Sequence, residues 1–203
     1  MDERTKKIIL FGCGGHSRSV ADVLILNDPA VSLVFVDENA RKNEMLYGFE
    51  IIKHMESLNL PYFFAIGDNR KRKTKYDEIG VSNLISVISR NVHRGYKSAI
   101  GKGCFIGNYC HIGPEAKIGD NTIINTSAVI EHEVRIGKHS HIGPNAVVSG
   151  RTSIGDLAFI GVGAVVKDNV AICSETIIGA GATVIKNIDE PGTYVGTPAR
   201  KIS

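Results

Sequence analysis

A histidine between two glutamates is the feature of this sequence that points most directly to chemistry. Glu131, His132 and Glu133 are consecutive. A histidine that is oriented by a carboxylate is the usual general base near neutral pH, because its imidazole changes protonation state in that range. The alternative interpretation is a solvated polar corner with no catalytic role. Which interpretation holds depends on the element that positions the triplet.

That element is a repeat with a period of six residues. Ile or Val heads fifteen consecutive hexads from residue 100 to residue 184, and small residues such as Cys104 and Ala128 stand two positions earlier. This period is typical of a β-solenoid, with the aliphatic and small side chains inside. Most residues that follow the aliphatics are glycines, and we expect them to form corners where φ becomes positive. These glycines are Gly101, Gly107, Gly113, Gly119, Gly137, Gly143, Gly155, Gly161 and Gly179.

The glutamate–histidine triplet lies at a corner where the sequence departs from the usual glycine of the repeat. Glu131 occupies a corner position that glycine usually fills, and a second cluster, His139-Ser140-His141, follows closely. His132 and His141 are nine residues apart, which is half of an eighteen-residue coil of three hexads. They should therefore lie on different sides of a triangular prism. If both serve one site, we expect that site to lie between neighbouring subunits.

Ahead of the solenoid, the sequence predicts a small Rossmann-like α/β unit. A strand at Lys7–Phe11, a helix at Ser19–Leu26 and a strand at Ser32–Val36 surround the glycine turn at 12–15. Asp37 and Glu38 follow the second strand directly, at the position where such a fold often contacts a ribose. The third glycine of the dinucleotide fingerprint is missing, which favours a smaller nucleotide. His16 could reach a phosphate or a base, or it could be an exposed loop residue.

Two further segments complete this unit. A strand at Tyr62–Ile66 precedes a helix at Arg70–Ile79, and a last strand at Asn83–Ile88 leads into the solenoid. The helix begins with a basic run that is more typical of a solvated face than of a phosphate site. Within that run, Arg72 is the first candidate for substrate contact. We place the domain boundary between a nucleotide-binding domain at 1–83 and a solenoid domain at 84–203, with a short N-terminal sheet braced against the solenoid.

Composition limits the classes of function. The chain has 203 residues and a formal net charge of +3, which is too small to argue for nucleic acid or an acidic membrane as a partner. It has no apolar run long enough for a membrane-spanning helix. Its four cysteines lack CxxC spacing, which favours reduced thiols in a cytoplasmic protein. Four histidines (111, 132, 139 and 141) scatter around the predicted coil, so we expect no metal site.

Four motifs along the chain, GCGGH, AIGDN, IEHE and VGTPAR, together with the hexads, resemble the bacterial sugar acyltransferases of the left-handed β-helix class. The resemblance covers essentially the whole chain. It is greatest to the nucleotide-amino-sugar N-acetyltransferases of glycan biosynthesis and to the sialic acid O-acetyltransferases. It implies a homotrimer that binds acetyl-CoA between adjacent solenoids and the sugar nucleotide on the N-terminal domain, with direct transfer of the acetyl group.

The resemblance also implies roles for individual residues. His132 is the general base, Glu133 orients it, and His141 belongs to the part of the site where the two substrates meet. The implied contacts to the sugar nucleotide are Gly12, Gly14, Gly15, His16, Asp37, Glu38, Gly67, Asp68, Asn69 and Asn125. The implied neighbourhood of acetyl-CoA is His141, Gly161, Gly179, Ala180 and Ala182.

Two other functions stay open at this point. A sialic acid O-acetyltransferase would use the same base on a hydroxyl group. A non-catalytic solenoid could bind a sugar nucleotide and serve as an assembly scaffold, but the loss of His132 would be expected in that case. The pairing of His132 with Glu133 and the presence of His141 favour an amine acceptor, of the 4-amino sugar type.

Overall fold

The computed structural model describes residues 6–55 and 59–203, which form a small α/β domain followed by a parallel β-solenoid. The elements of the first domain are β1 (Lys7–Phe11), α1 (Gly15–Asn27), β2 (Ser32–Val36), β3 (Met45–Leu46), β4 (Phe49–Ile52), β5 (Tyr62–Phe64) and α2 (Asn69–Ile79). Its sheet has the strand order β3-β4-β2-β1-β5. All pairs are parallel except the β3–β4 hairpin at the edge.

The predicted elements of this domain are largely confirmed. The strands β1 and β2 have the predicted bounds, whereas α1 begins four residues earlier than expected, at Gly15. Helix α2 begins at Asn69, because the Asp68 carboxylate accepts a hydrogen bond from the Lys71 amide and caps the helix. The strand predicted at Asn83–Ile88 was wrong in its first half, where Leu84 forms only an isolated bridge to Tyr62. The β3–β4 hairpin was not predicted.

The solenoid consists of three parallel sheets that form the sides of a prism. From β6 to β22, paired strands are eighteen residues apart, as Val129 and Val147 are, so the predicted coil of three hexads is confirmed. The first sheet contains β6 (Val87–Ile88), β9 (Phe105–Ile106), β12 (Ile123–Ile124), β15 (His141–Ile142), β18 (Phe159–Ile160), β21 (Ile177–Ile178), β23 (Thr193–Val195) and β24 (Arg200–Lys201). The second contains β7 (His93–Arg94), β10 (His111–Ile112), β13 (Val129–Ile130), β16 (Val147–Val148), β19 (Val165–Val166) and β22 (Thr183–Val184). The third contains β8 (Ala99–Ile100), β11 (Lys117–Ile118), β14 (Arg135–Ile136), β17 (Ser153–Ile154) and β20 (Ala171–Ile172).

The interior of the prism holds the residues that the repeat predicts. The aliphatic heads and the small residues before them form one continuous buried cluster, in which Ala128 and Ile130 are fully buried. The N-terminal domain packs against the first sheet, since Phe105 and Ile123 belong to the same buried cluster as α1 and β1. The expectation that the N-terminal sheet is braced against the solenoid is therefore confirmed.

The predicted reason for the corner glycines was wrong. Positive φ occurs two positions later, for example at Glu133 (φ 61°), and not at the glycines that follow the aliphatics. Those glycines are needed because the next coil lies directly against them. A Cβ at Gly113 would be 2.7 Å from the carbonyl carbon of Glu131, and one at Gly119 would be equally close to that of Gly137. The repeat thus selects glycine for close packing of coils rather than for backbone conformation.

The C-terminal tail closes the last coil. The strand β23 pairs with β21 in parallel. The last strand, β24, then pairs antiparallel with β23. The amide of Ala199 donates to the Thr183 carbonyl, which holds the returning segment in place. Within the described residues, no helix is long and apolar enough to cross a membrane.

Candidate active site

The corner after β13 presents His132 at the edge between the second and third sheets. Nδ1 of His132 lies 3.1 Å from Oε2 of Glu133, and nearly half (45%) of the histidine side chain is exposed. The left-handed backbone at Glu133 brings its carboxylate back toward the ring. Because a carboxylate accepts the Nδ1 proton, the lone pair of the neutral ring lies on Nε2. The arrangement provides an accessible base whose tautomer is fixed.

Gly150 on the next coil leaves room for this ring. A Cβ at Gly150 would lie 2.5 Å from Cε1 of His132 and 3.1 Å from its Cδ2, and closer still to Nε2. Gly150 does not have a positive φ, so its own backbone does not require glycine. Sequence reasoning missed this residue, although a signal exists. Every other hexad from residue 100 to residue 184 has a side chain two positions after its aliphatic, and only Gly150, eighteen residues after His132, has none.

A second polar cluster lies where the N-terminal domain meets the first sheet. Nδ1 of His141 lies 3.3 Å from the Gly67 carbonyl, and Nε2 lies 3.2 Å from Nδ2 of Asn125. The ring of His16 packs edge-on against Phe105 at 4.9 Å and stands 6.2 Å from the ring of His141. Nε2 of His16 is buried and has no hydrogen-bond partner within residues 6–55 and 59–203. His16 is therefore not the exposed loop residue of the alternative interpretation.

Burial keeps both histidines of this cluster neutral. Burial, together with smaller effects of the nearby His141 and Arg72, lowers the pKa of His16 to about 3. Burial and the Arg72 guanidinium likewise lower the pKa of His141 to about 4. A neutral His141 donates from Nδ1 to the Gly67 carbonyl and accepts from Asn125 at Nε2. This cluster can orient a polar ligand, but it does not supply a cation.

A cleft of about 810 Å³ opens at the carboxyl ends of β1, β2 and β5. A volume of this size is typical of small-molecule sites. Gly12 has a φ of 101°, whereas a Cβ at Gly14 or Gly15 would meet no atom of the described part of the chain within 4 Å. Neither packing nor a positive φ requires these last two glycines, which fits a ligand that approaches the backbone closely. Predicted residues that line the cleft are Gly12, Gly14, Gly15, His16, Asp37, Glu38, Gly67 and Asp68.

The acidic residues of this cleft are partly engaged. Oδ2 of Asp37 accepts from the Cys13 amide at 2.9 Å and so fixes the glycine turn. Glu38 forms an exposed ion pair with Lys75 at 3.3 Å. Lys53 and His54 also line the cleft. Sequence reasoning missed Lys53 and His54 because they follow β4. The four residues of β4 alternate too little between apolar and polar side chains to be recognised as a strand.

Arg72 does not contact the cleft, and its prediction as a substrate ligand was wrong. Its side chain is fully buried. The guanidinium donates within α2 and its preceding turn to Oδ1 of Asn69 and to the Ile66 and Gly67 carbonyls. It also donates to solenoid carbonyls, those of Asn121, His139 and Ser140, at 2.9–3.2 Å. With its donors used in this way, Arg72 joins the two domains instead of binding a ligand.

Asn69 has a similar structural role. Its Nδ2 donates to the Ala158 carbonyl at 3.0 Å, while Oδ1 accepts from Arg72. The prediction of direct substrate contact is therefore not supported for Asn69. The AIGDN segment positions the Gly67 carbonyl and caps α2, and it holds the cleft against the first sheet.

The late-coil residues that were expected near acetyl-CoA differ in whether their backbone amides are free to bind a ligand. The side chain of Ala182 is fully buried, and its amide donates to the Gly179 carbonyl. The amides of Gly161 and Gly179 donate to the carbonyls of the next coil. Ala180 is exposed, and its amide has no acceptor among the described residues. Of these four residues, Ala180 alone has an amide that can bind a ligand without disrupting the coil.

The two polar clusters lie on different parts of the prism. His141 is in β15 of the first sheet, whereas His132 follows β13 of the second. The prediction that one chain places them on different sides is confirmed. Among the described residues, no group of three or more His, Cys, Asp or Glu side chains could hold a metal ion.

Comparison with known proteins finds a family model that matches part of each domain. Residues 7–79 match the family model of the PglD N-terminal domain, and residues 97–132 and 115–150 match the model of the bacterial transferase hexapeptide (six repeats). Uncharacterized protein L142 of Acanthamoeba polyphaga mimivirus is 33% identical over 106 residues. That match covers 50% of this chain and 21% of the relative, so the chain spans about a fifth of the length of that curated relative.

Solved structures match over nearly the whole chain. The acetyltransferase domain of PglB from Neisseria gonorrhoeae FA1090, in complex with acetyl coenzyme A, is 26% identical with a TM-score of 0.88, covering 98% of this chain and 100% of that chain. A mutant of perosamine N-acetyltransferase from Caulobacter crescentus, in complex with CoA and GDP-perosamine, is 28% identical with a TM-score of 0.88 and 97% coverage of both chains. WeeI from Acinetobacter baumannii AYE is 26% identical with a TM-score of 0.87, covering 96% of this chain and 99% of that chain. Residues 7–79 therefore belong to the PglD N-terminal domain family and residues 97–150 to the bacterial transferase hexapeptide family, and the chain as a whole is similar in sequence and fold to bacterial sugar N-acetyltransferases.

Proposed function

We propose that this acetyltransferase moves the acetyl group of acetyl-CoA to the amino group of a nucleotide-linked amino sugar, of the 4-amino type, in cytoplasmic glycan biosynthesis. The observation that carries the proposal is the partly exposed imidazole of His132, whose Nδ1 is paired with the Glu133 carboxylate. The cleft in the N-terminal domain supports a nucleotide as the recognition element. The perosamine N-acetyltransferase of similar structure was solved with CoA and GDP-perosamine.

In this mechanism His132 acts as the general base. An amino group must lose a proton as it attacks the thioester carbonyl, and Nε2 of His132 accepts that proton. Glu133 stabilises the imidazolium that forms, because its carboxylate lies 3.1 Å from Nδ1. The tetrahedral intermediate then expels the CoA thiolate, and the imidazolium returns the proton to the sulfur. Holding both substrates in one groove supplies the proximity that direct transfer requires.

The outer face of the second sheet supports a homotrimer. Its outward residues are two histidines, three valines and one threonine, with Val129, Val147 and Val165 stacked in register, and Val165 is 38% exposed. The third sheet instead presents exposed Lys117 and Arg135. Charge-free, apolar surface is typical of the centre of an interface between copies of one chain. We therefore propose that the second sheets of three subunits face one axis.

This arrangement completes the active site. Two edges flank the second sheet, and threefold symmetry brings the His132 edge of one subunit beside the Asn125 edge of the next. Asn125 and His132 belong to the same coil, so they would stand at similar height along the axis. The cluster of Asn125, His141 and His16 in one subunit would then meet the base of its neighbour. One protomer alone keeps the two groups on separate sheets.

The test is CoA release from acetyl-CoA with a panel of UDP-, GDP- and dTDP-linked 4-amino sugars, with free sialic acid as the competing acceptor. Turnover with an amino sugar supports the proposal. His132→Ala should lower kcat by on the order of a hundredfold or more. Turnover with sialic acid alone would replace the proposal with O-acetylation. Binding of a nucleotide sugar without any CoA release would favour the scaffold.

A further inference from the structure

We propose that Arg72 is a positioning residue for acetyl transfer, because it sets the orientation of the His141 ring and the ring nitrogen that carries the proton. The inference rests on the proposed function, in which the cluster around His141 meets the base of the neighbouring subunit. Arg72 is fully buried and does not line the cleft. It can therefore act on the substrates only through the residues that it contacts.

On the side of the N-terminal domain, Arg72 and His141 share one carbonyl group. Nη1 of Arg72 donates to the Gly67 carbonyl at 3.2 Å, and Nδ1 of His141 lies 3.3 Å from the same oxygen. Nη1 also donates to the Ile66 carbonyl at 3.0 Å. Because one guanidinium nitrogen binds two consecutive carbonyls of this turn, the oxygen that orients the His141 ring has a fixed position.

On the side of the solenoid, Arg72 binds the strand that carries His141. Its Nη2 donates to the carbonyls of His139 and Ser140, at 2.9 and 3.2 Å, directly before His141 in the chain. A guanidinium can only donate, and its planar fork suits several oxygens at once. The ring of His141 and the backbone that precedes it are thus both tied to one rigid group.

Asn69 extends this network to the next strand. Its Oδ1 accepts from Nη2 of Arg72 at 2.8 Å, and its Nδ2 donates to the Ala158 carbonyl at 3.0 Å. The same carbonyl accepts the backbone amide of His141 at 2.9 Å. The backbone of His141 is therefore stabilised on both sides by groups that depend on Arg72.

The network also determines which nitrogen of His141 carries the proton. A carbonyl can only accept, so Nδ1 donates to Gly67 and the lone pair of the neutral ring lies on Nε2. Nε2 accepts from Nδ2 of Asn125 at 3.2 Å, while Oδ1 of Asn125 accepts from the Thr126 amide at 2.8 Å. A protonated His141 would place two donors against each other, and Asn125 could not turn over without losing its bond to Thr126.

The positive charge of Arg72 opposes that protonation. Burial lowers the pKa of His141 to about 4, and the guanidinium contributes to this effect. The other side chains that face the ring are His16, Phe159 and Asn125, of which His16 is kept neutral by burial. None of these three carries a negative charge. Arg72 is therefore the charged group that acts on His141 among the described residues.

The main experiment compares wild type with Arg72→Lys, which keeps the charge but cannot bind carbonyls on both sides with a single ammonium group. Heteronuclear NMR of the imidazole nitrogens reports the tautomer of His141, and CoA release reports kcat. The wild-type ring should be the Nδ1–H tautomer, and Arg72→Lys should lose this preference. Its kcat should fall ~10-fold or more, because a displaced group beside the reacting atoms costs at least that much.

Two further variants define the roles of charge and of the helix. Arg70→Lys, at an exposed position of the same helix, is the matched control and should equal wild type in both measurements. Arg72→Met also removes the charge and should raise the pKa of His141 by ~1 or more. If Arg72→Met does not fold, the measurements on Arg72→Lys decide alone.

A double-mutant cycle with His141→Asn separates positioning from a general loss of structure. If Arg72 acts through His141, Arg72→Lys should lower kcat in the otherwise wild-type protein but have no further effect in His141→Asn. Additive losses of kcat would overturn the proposal, because Arg72 would then act by another route.

The outcomes also separate this inference from the proposed function, since the NMR measurement does not depend on turnover. Wild-type kcat in Arg72→Lys would overturn the positioning role and leave the acetyltransferase proposal intact. A changed His141 tautomer in Arg72→Lys, with no acetyl transfer to any amino sugar by the wild-type protein, would support the control of His141 by Arg72 and contradict the proposed acceptor.

Discussion

Replacing Gly150 with alanine tests whether the orientation of His132 matters for catalysis. The added Cβ would lie 2.5 Å from Cε1 of His132 and closer still to Nε2. Ordinary contact between carbon atoms requires ~3.5 Å, so the ring must move by about 1 Å. The nearly half-exposed ring can make this movement by rotating away from Gly150 into solvent.

The expected loss of activity follows from that displacement. A 1 Å misplacement of a catalytic group can cost ~100-fold in rate, which corresponds to ~2.7 kcal/mol of transition-state stabilisation. The free energy of unfolding should change by less than ~1 kcal/mol, because the new methyl group meets a mobile side chain and the backbone conformation is ordinary. We therefore expect a large fall in kcat with little change in Tm.

The assay is the rate of CoA release at saturating substrates, combined with thermal unfolding. The control is the same substitution in a His132→Ala background, where no ring is present and Gly150→Ala should have no further effect on the rate. Wild-type kcat in Gly150→Ala would refute the argument that Gly150 positions the base. A further loss in the His132→Ala background would show that the methyl group acts on something other than the ring.

Three other predictions follow from the structure. Arg72→Met should lower the free energy of unfolding, measured by urea titration, by ~3 kcal/mol or more, because it leaves buried carbonyls unpaired. The control, Arg70→Met, loses only an exposed ion pair with Glu175 and should lower the free energy of unfolding by less than ~1 kcal/mol. Stability should fall as pH drops from about 6.5 toward 4, since the unfolded chain binds protons that folded His141 and His16 exclude because their pKa values are lowered. His141→Asn should reduce the slope of this pH dependence by the share of one histidine, and an unchanged slope would contradict the assignment. Val147→Glu should dissociate the trimer in sedimentation, whereas Arg135→Glu should not; a trimeric Val147→Glu protein would place the interface elsewhere.

The regular part of the fold was predictable because its physical cause is local and repeated. A period of six fixes which residues face inward, so the buried positions of Ala128 and Ile130 follow from the sequence alone. The corner glycines were located correctly but explained wrongly. Their cause is the approach of the next coil eighteen residues away, and a single corner viewed by itself gives no sign of that neighbour.

The candidate site was predictable where a motif places residues together in sequence. Glu133 adjoins His132, so their hydrogen bond required no knowledge of the fold. Arg72 was misassigned because the carbonyls that surround it come from distant residues such as Asn121 and His139, and no local pattern shows that a cation will be buried. The hairpin of β3 and β4, with Lys53 and His54 beyond it, was missed because such short strands carry almost no periodicity.

Subunit complementation tests the central claim, a shared active site, most directly. His132→Ala lacks the base and His141→Ala lacks the opposite cluster, so each variant alone should be nearly inactive. If sites form between subunits, each mixed trimer should regain about one of its three sites, and random assembly from equal amounts of the two variants should restore about a quarter of the wild-type sites overall, because each restored site needs one intact partner of each kind. Verified mixed trimers with no activity above that of the separate variants would show that a single subunit contains the whole site.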